Sequence, residues 1–277
     1  MVVYAGQGDA RRSIALLWRT ENAPAPGGTG PGGTGPARSG PKPGLTVDAI
    51  VSAAVTVADE DGMAALSMRA VGERLGRTAM ALYTYVPGRS ELLDLMYDAV
   101  HAELPSDYPD TENWRASLTR WAEDTLAFHL RHPWVLQVSQ ARPVLGPHEY
   151  TALNTLVRLL YGTGLDAHLL RRLIGTLFHF VRGSAQTVAE SRQAAAVTGQ
   201  SDEEWWFARS ALLGEVAPDF ADRFPDVGRL ESESAPEPPP ADDTVPYLER
   251  QARETFTTGL GVLLDGIEAA VRRTGAP

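Results

Sequence analysis

Four arginines, Arg69, Arg74, Arg77 and Arg89, flank the run Ala79-Met80-Ala81-Leu82-Tyr83-Thr84-Tyr85, which carries no charge at all. Guanidinium groups beside small apolar and hydroxyl-bearing side chains suit a partner with a phosphate backbone and base edges set in a groove. A major groove about 12 Å wide admits one helix, and its exposed side chains must be small to come close to the bases. Ala79 and Ala81 permit that approach, and Met80 or an alanine methyl can meet a thymine methyl. Tyr83, Tyr85 and Arg89 can hold phosphates and so fix register. Arg69 can read a guanine through two parallel hydrogen bonds. The competing reading is a scrap of core. Leu75, Leu82 and Val86 are core in either case, the two tyrosines can be buried as amphipathic rings, and Arg74 and Arg77 can be ordinary solvated charges.

A second set of residues suits a ligand pocket. A long helix expected over 166–198 has an apolar stripe of Leu169, Leu173, Leu177, Phe180 and Val188, and a second face of Phe178, His179, Arg182 and Gln186. That mixture of aromatic and polar groups fits a cavity wall better than a sealed core. Trp121, Phe128, His129, Trp134, Gln137, Asn154, Trp205 and Trp206 can complete such a wall, against the plain alternative that aromatics at helical spacing are core. His129 and His132 are three apart, but His132 precedes Pro133 and no carboxylate stands at a ligating spacing, so no metal is expected. The chain has no cysteine, and no nucleophile-elbow, zinc-protease or phosphate-loop pattern occurs. No catalytic residue and no cofactor is expected, and the reading is not an enzyme.

These residues need elements to hold them. Apolar positions recur three or four apart from Thr46 onward, and alternation with period two is nowhere sustained, so the class is all-α. Thr46 can cap a helix through about Asp59, and Ser67 a short one, MRAVGERL, closed by Gly76. A third covers roughly Ala79–Tyr85 and stops at Pro87-Gly88; a fourth runs from about Ser90 to Leu104. Further helices are expected near 112–131, 134–141, 147–162, 166–198, 202–215, 218–223 and 246–273. Residues 23–44, with eight glycines and six prolines, read as a flexible linker. Before it, DARRSIALLWR can form a short amphipathic helix, docked or not. Residues 231–243 read as an acidic, Pro-rich loop. The organisation expected is a basic arm over 1–44, a three-helix helix-turn-helix domain over 45–104, and a larger helical domain over 105–277.

Charge supports that division. The net charge is −10, yet the first 44 residues hold Arg11, Arg12, Arg19, Arg38 and Lys42 against Asp9 and Glu21. Beyond residue 90, acids outnumber bases 28 to 16. The pattern is a local polyanion-binding module on an acidic body. Arg38 and Lys42, just before the first helix, can enter a minor groove as a flexible arm; the alternative is a passive tether. No window is long and apolar enough to span a membrane, and a cytoplasmic location is expected.

The stretch AALSMRAVGERLGRTAMALYTYVPGRSELLDLM, 64–96, resembles the DNA-binding domain of the tetracycline-repressor (TetR) family. The likeness rests on Leu66-Ser67, Leu75-Gly76, Leu82-Tyr83, Pro87-Gly88-Arg89 and Leu92-Leu93. Arg89 stands where the family has a basic residue, often Lys, and Tyr85 where it often has His. By that resemblance Arg69, Thr78, Ala79, Met80, Ala81, Tyr83, Thr84, Tyr85 and Arg89 face DNA. The stretch from Trp114, with HLRHPWVLQ and LFHFVRGSA, looks like the family's C-terminal domain. The resemblance implies a homodimer on a palindromic operator, released when an unidentified small-molecule effector binds the helical domain. The last helix, with Phe256, Leu260, Leu263, Leu264, Ile267 and Val271 on one side, can pack with its copy, and Gly175 and Gly183 permit close approach in a four-helix bundle. Two other readings stand beside a repressor: a helical enzyme with a DNA-targeting domain, and an activator or global regulator without a small ligand.

Overall fold

The computed structural model describes residues 2–19, 45–108, 113–234 and 245–275. Among these every regular element is helical: α1 Ala10–Leu17, α2 Val47–Asp61, α3 Met68–Leu75, α4 Ala79–Tyr83, α5 Arg89–His101, α6 Trp114–Arg131, a 3-10 turn Pro133–Gln137, α7 Pro147–Tyr161, α8 Ala167–Thr198, α9 Asp202–Val216, α10 Phe220–Arg223, α11 Pro225–Glu233 and α12 Tyr247–Thr274. The chain divides into two compact units, residues 1–179 with 268–277, and residues 180–267. Helices α8 and α12 contribute to both.

In the first unit, α2 to α4 are started by hydroxyl caps. Thr46, Ser67 and Thr78 accept hydrogen bonds from the amides of Ala49, Ala70 and Ala81 at 3.1, 3.1 and 3.3 Å. Each satisfies one amide that a helix start leaves unpaired. Gly76 ends α3 in the left-handed conformation, φ 64° and ψ 36°, where a Cβ would be strained. The α3–α4 turn then folds back so tightly that a Cβ on Gly72 would lie 2.7 Å from the Arg77 carbonyl oxygen. Ile50, Ala54 and Val57 of α2, Val71 of α3, Leu82 of α4 and Leu92 and Met96 of α5 are buried in one cluster. Helix α4 ends at Tyr83, not Tyr85, because the amides of Tyr85 and Val86 both turn back to the Leu82 carbonyl.

The helix expected over 134–141 is a single 3-10 turn. Beyond it the backbone is extended, and Val3 pairs with it: the Val3 amide donates to the Gln137 carbonyl and the Ser139 amide to the Val3 carbonyl, both at 2.8 Å. The segment containing α1 is therefore docked. Arg38 and Lys42 lie outside the described residues.

In the second unit, α8 and α12 share an apolar seam of Val181, Ala185 and Val188 with Ala252, Phe256, Leu260 and Leu264, all buried. Phe180 stacks on Phe256 at 5.7 Å. Buried Glu249 accepts from Arg192 at 3.0 and 2.9 Å and from Arg253 at 2.8 Å. Burial pushes the Glu249 carboxyl up, but the two guanidinium groups outweigh it and hold it below its ordinary range. A capping box between Ser201 and Glu204 starts α9. Helix α11, where no helix was expected, begins with Pro225 at a position that needs no amide.

Replacing Gly72 with Val should destabilise the protein by about 2–3 kcal/mol in urea unfolding, because the obstacle is backbone that cannot step aside. Operator binding should fall with it. Unchanged stability would mean that the α3–α4 turn has room the structure does not show.

Candidate DNA interface and effector cavity

The side chains proposed for DNA are arranged around α4. Leu82 is wholly buried, which turns Met80 outward at 75% exposure; Tyr83 and Tyr85 are also exposed. Ala79 and Ala81 are half-buried. Thr78 is exposed, and its hydroxyl caps the helix. Arg69 pairs with Glu73 at 2.8 Å, with both side chains mostly in solvent. Such a pair is weak and exchanges readily for another anion. Arg74 is different: it is bidentate to Glu60 at 2.7 and 3.0 Å and ties α3 to α2. Arg77, exposed in the turn, has no ion-pair partner among the described residues. Arg89 donates to the Met63 carbonyl at 3.2 Å, so its guanidinium is held at the turn between α2 and α3.

Helix α5 leads from this head into a cavity of about 300 Å³. Its wall is built from Tyr97 and His101 of α5, the stretch 138–145, Glu149, Tyr150, Ala152 and Leu153 of α7, and Gly175, Phe178 and His179 of α8. His101 donates from Nδ1 to the Tyr97 carbonyl at 2.6 Å, which leaves Nε2 as an acceptor. Burial pushes its pKa below the ordinary value, favouring the neutral ring.

One carboxylate joins the two regions. Asp98 of α5 is buried, and its Oδ1 accepts from the amides of His148 and Glu149 at 3.0 and 2.9 Å. Its Oδ2 lies 2.8 Å from His148 Nδ1. Helix α7 has no side-chain cap of its own, since Gly146 occupies that position. A Cβ at Gly146 would come within 2.1 Å of Asp98 Oδ1, so the glycine makes room for the borrowed cap. Beside it, Glu149 accepts from the Leu145 amide at 2.7 Å. Burial, with the charge of Asp98 adding to it, raises the Glu149 pKa.

Of the residues expected at a ligand, Phe178 and His179 line this cavity. Trp121 is buried and meets Phe178 edge-on at 5.5 Å. Phe128 and Trp134 belong to the core cluster. Trp134 donates to Asp59 at 2.8 Å, and His132 Nδ1 lies 2.9 Å from the same carboxylate. His129 is buried against Phe128, rings 5.2 Å apart. The Gln137 carbonyl is taken by Val3, and Asn154 is exposed on α7. Arg182, Gln186, Trp205 and Trp206 belong to the second unit, where the two tryptophans are each 42% exposed. Of the residues expected at a dimer contact, Phe256, Leu260 and Ile267 are buried within the protomer, Leu263 is half-buried, Gly183 is open, and Gly175 lines the cavity. The exposed apolar side chain on that length of α12 is Val262. No group of three or more metal-ligating side chains occurs among the described residues, and no described helix is long and apolar enough to cross a membrane.

Comparison with known proteins agrees with this layout. Residues 50–96 match the family of bacterial regulatory proteins of the tetR type, and residues 108–271 the tetracyclin repressor-like C-terminal domain. The chain belongs to the TetR family. It is similar to the HTH-type transcriptional repressor DrrR1 of Streptomyces coeruleorubidus, 38% identical over 96% of this chain and 88% of that one. It is also similar to an HTH-type transcriptional regulator of Saccharopolyspora erythraea, 34% identical over 65% of this chain and 76% of the relative. Among solved structures, ActR of Streptomyces coelicolor in complex with actinorhodin aligns with a TM-score of 0.64 at 25% identity, covering 83% of this chain and 99% of ActR. The function is that of the family: a transcriptional repressor that binds DNA through its helix-turn-helix and responds to a small ligand.

Tyr97, His101, Arg142, Leu145 and Glu149 line the cavity and lie outside the set expected at a ligand. Tyr97 and His101 are one turn apart on α5, a usable signal, but a domain boundary at residue 104 assigns all of α5 to the DNA-binding domain.

Glu149→Gln keeps an acceptor for the Leu145 amide and removes the cost of a buried charge. A carboxyl whose folded pKa is raised binds more protons folded than unfolded, so its contribution falls as pH rises from the ordinary carboxylate range to the raised value. The variant should therefore be more stable than wild type at neutral pH, and the gap should close as pH falls through that window. Denaturant unfolding at several pH values checks this; a gap that widens on acidification would reverse the assignment.

Proposed function

We propose that two copies of the chain bind a palindromic operator, with α4 of each in the major groove, and that a small effector in the cavity of each releases them. The observation that supports this most directly is that one helix serves both ends. Helix α5 carries Arg89 at its start beside the DNA-facing residues, and Tyr97 and His101 toward its end in the cavity wall. A ligand pressing on Tyr97 and His101 must displace α5, and Asp98 makes α7 move with it. Such a ligand shifts the protein between states only by its difference in affinity for them.

The cavity wall indicates the effector's chemistry. Tyr97, His101, Tyr150 and Phe178 offer ring faces and edges, and Arg142, His179 and Glu149 offer hydrogen bonds. An aromatic molecule bearing oxygen functions fits that lining. ActR, of the same fold, is known in complex with actinorhodin, which makes actinorhodin a reasonable first compound to test.

At the DNA, Arg69 reads a base and Arg89 holds a phosphate, with Thr78, Ala79, Met80, Ala81, Tyr83, Thr84 and Tyr85 completing the surface. Arg38 and Lys42 add minor-groove contacts. The dimer uses α8 and α12 through Gly183 and the outward face around Val262. A cytoplasmic location and the absence of catalysis go with this reading.

Fluorescence anisotropy on DNA from upstream of the gene should separate the roles. Arg89→Ala should weaken binding to all sequences and lower the salt slope by about one. Arg69→Ala should relax preference at one base pair per half-site, by about 1–3 kcal/mol. Unchanged operator affinity in both would remove the head from the interface. Val262→Arg should give monomers in ultracentrifugation and lose the avidity of two half-sites; a stable dimer would redirect the interface to another face. Ala152→Phe, which fills the cavity, should leave operator binding intact and abolish release by actinorhodin. If release persists in that variant, the effector binds elsewhere.

A further inference from the structure

The cavity wall between Val138 and Leu145 is held from outside by the N-terminal segment. Leu145 lines the cavity and has a left-handed backbone, φ 65°, the only non-glycine residue with positive φ among those described. For a branched side chain this conformation is unfavourable and persists only where neighbours fix it. Two neighbours do. Its amide donates to Glu149, and its carbonyl accepts from Trp18 Nε1 at 3.0 Å. The Trp18 ring also lies 6.5 Å from Tyr150, another lining residue. Farther along the same wall, the Arg142 guanidinium sits over the Tyr4 ring at 5.7 Å, and Val3 is paired with residues 137 and 139.

The same segment is fastened to the DNA-binding head. The Gly6 amide donates to Asp94 of α5 at 2.8 Å. Gly8 passes so near Glu91 that a Cβ there would lie 2.2 Å from its Oε1. Arg19 forms an ion pair with Asp48 in the first turn of α2. Ala5 and Leu17 are buried, so the docking is a packed contact.

We propose that residues 2–19 are a strap across the effector site, in which Trp18 and Tyr4 act as positioning residues that hold Leu145 and Arg142 inward and so oppose ligand entry. The inference rests on the cavity being the effector site. A ligand that fills the cavity and bears on this wall pushes it outward, and doing so breaks the Trp18–Leu145 bond and lifts Arg142 from Tyr4. Contacts present only in the unliganded arrangement subtract from ligand affinity by their own free energy. Removing them tightens ligand binding. Because the Trp18–Leu145 and Tyr4–Arg142 contacts are made with the cavity wall and not with the residues around α4, ligand-free operator affinity stays as it is.

The test uses the full chain, with 1-anilinonaphthalene-8-sulfonate, an aromatic anion whose fluorescence rises in apolar surroundings, as the probe. Wild type, Trp18→Phe, Tyr4→Leu and the cavity-filled Ala152→Phe are titrated. Trp18→Phe keeps a smaller aromatic ring beside Tyr150 and deletes the indole donor to Leu145. Its probe affinity should rise about threefold to tenfold, the factor one net hydrogen bond supplies, and Tyr4→Leu should move in the same direction. Operator affinity without probe should remain within twofold, and far-UV circular dichroism and urea unfolding should show both variants folded. Probe binding that vanishes in Ala152→Phe but is unchanged in both strap variants overturns the strap alone. Probe binding indifferent to Ala152→Phe overturns the cavity as the site, and the strap with it.

Discussion

The position of the cavity relative to the reading head depends on a single buried carboxylate. A helix start exposes amides that must find acceptors, and α7 finds them in Asp98, on a different helix. The arrangement works only because Gly146 leaves space for the carboxylate and Pro147 has no amide to satisfy. The anion also sits at the positive end of the α7 dipole, the favourable place for it. Burying a charge is expensive unless its oxygens are fully engaged, and here both are. The result is a joint with direction: α5 cannot rotate or slide without carrying the start of α7.

This explains which features were legible in the residues and which were not. Thr46, Ser67 and Thr78 cap their own helices, and Gly76 ends its own, so the head could be read from short-range chemistry alone. The cap of α7 is supplied across 50 or more positions of sequence, and no local pattern at Gly146-Pro147 reveals it. The cavity is hidden for the same reason. Its wall takes side chains from α5, from an extended stretch, from α7 and from α8, and none of these is unusual by itself. Aromatics such as Phe128 and Trp134, which looked suited to a ligand, are instead core around the Asp59–His132 contact. Phe256 and Leu260, chosen for a dimer face, fill the seam against α8, since an apolar stripe does not say which neighbour it meets.

Charge is divided by task. The acidic balance of the whole chain would repel DNA, and the proposed interface gathers a few guanidinium groups in a small area. Arg74 is used up in holding α3 to α2, and Arg69 is engaged only with solvent-exposed Glu73. The difference separates a structural arginine from one available for exchange, although the sequence presents the two alike.

Leu145 shows what such a design costs and what it makes possible. A left-handed leucine raises the energy of the folded chain by about 1–2 kcal/mol, whereas glycine or asparagine at that position would be nearly free of the penalty. The difference is comparable to the 1.4 kcal/mol that corresponds to tenfold in an equilibrium constant. A relaxed residue there would make the protein more robust and its wall less ready to change state. On the proposed strap, response and durability thus make opposite demands on one pair of dihedral angles.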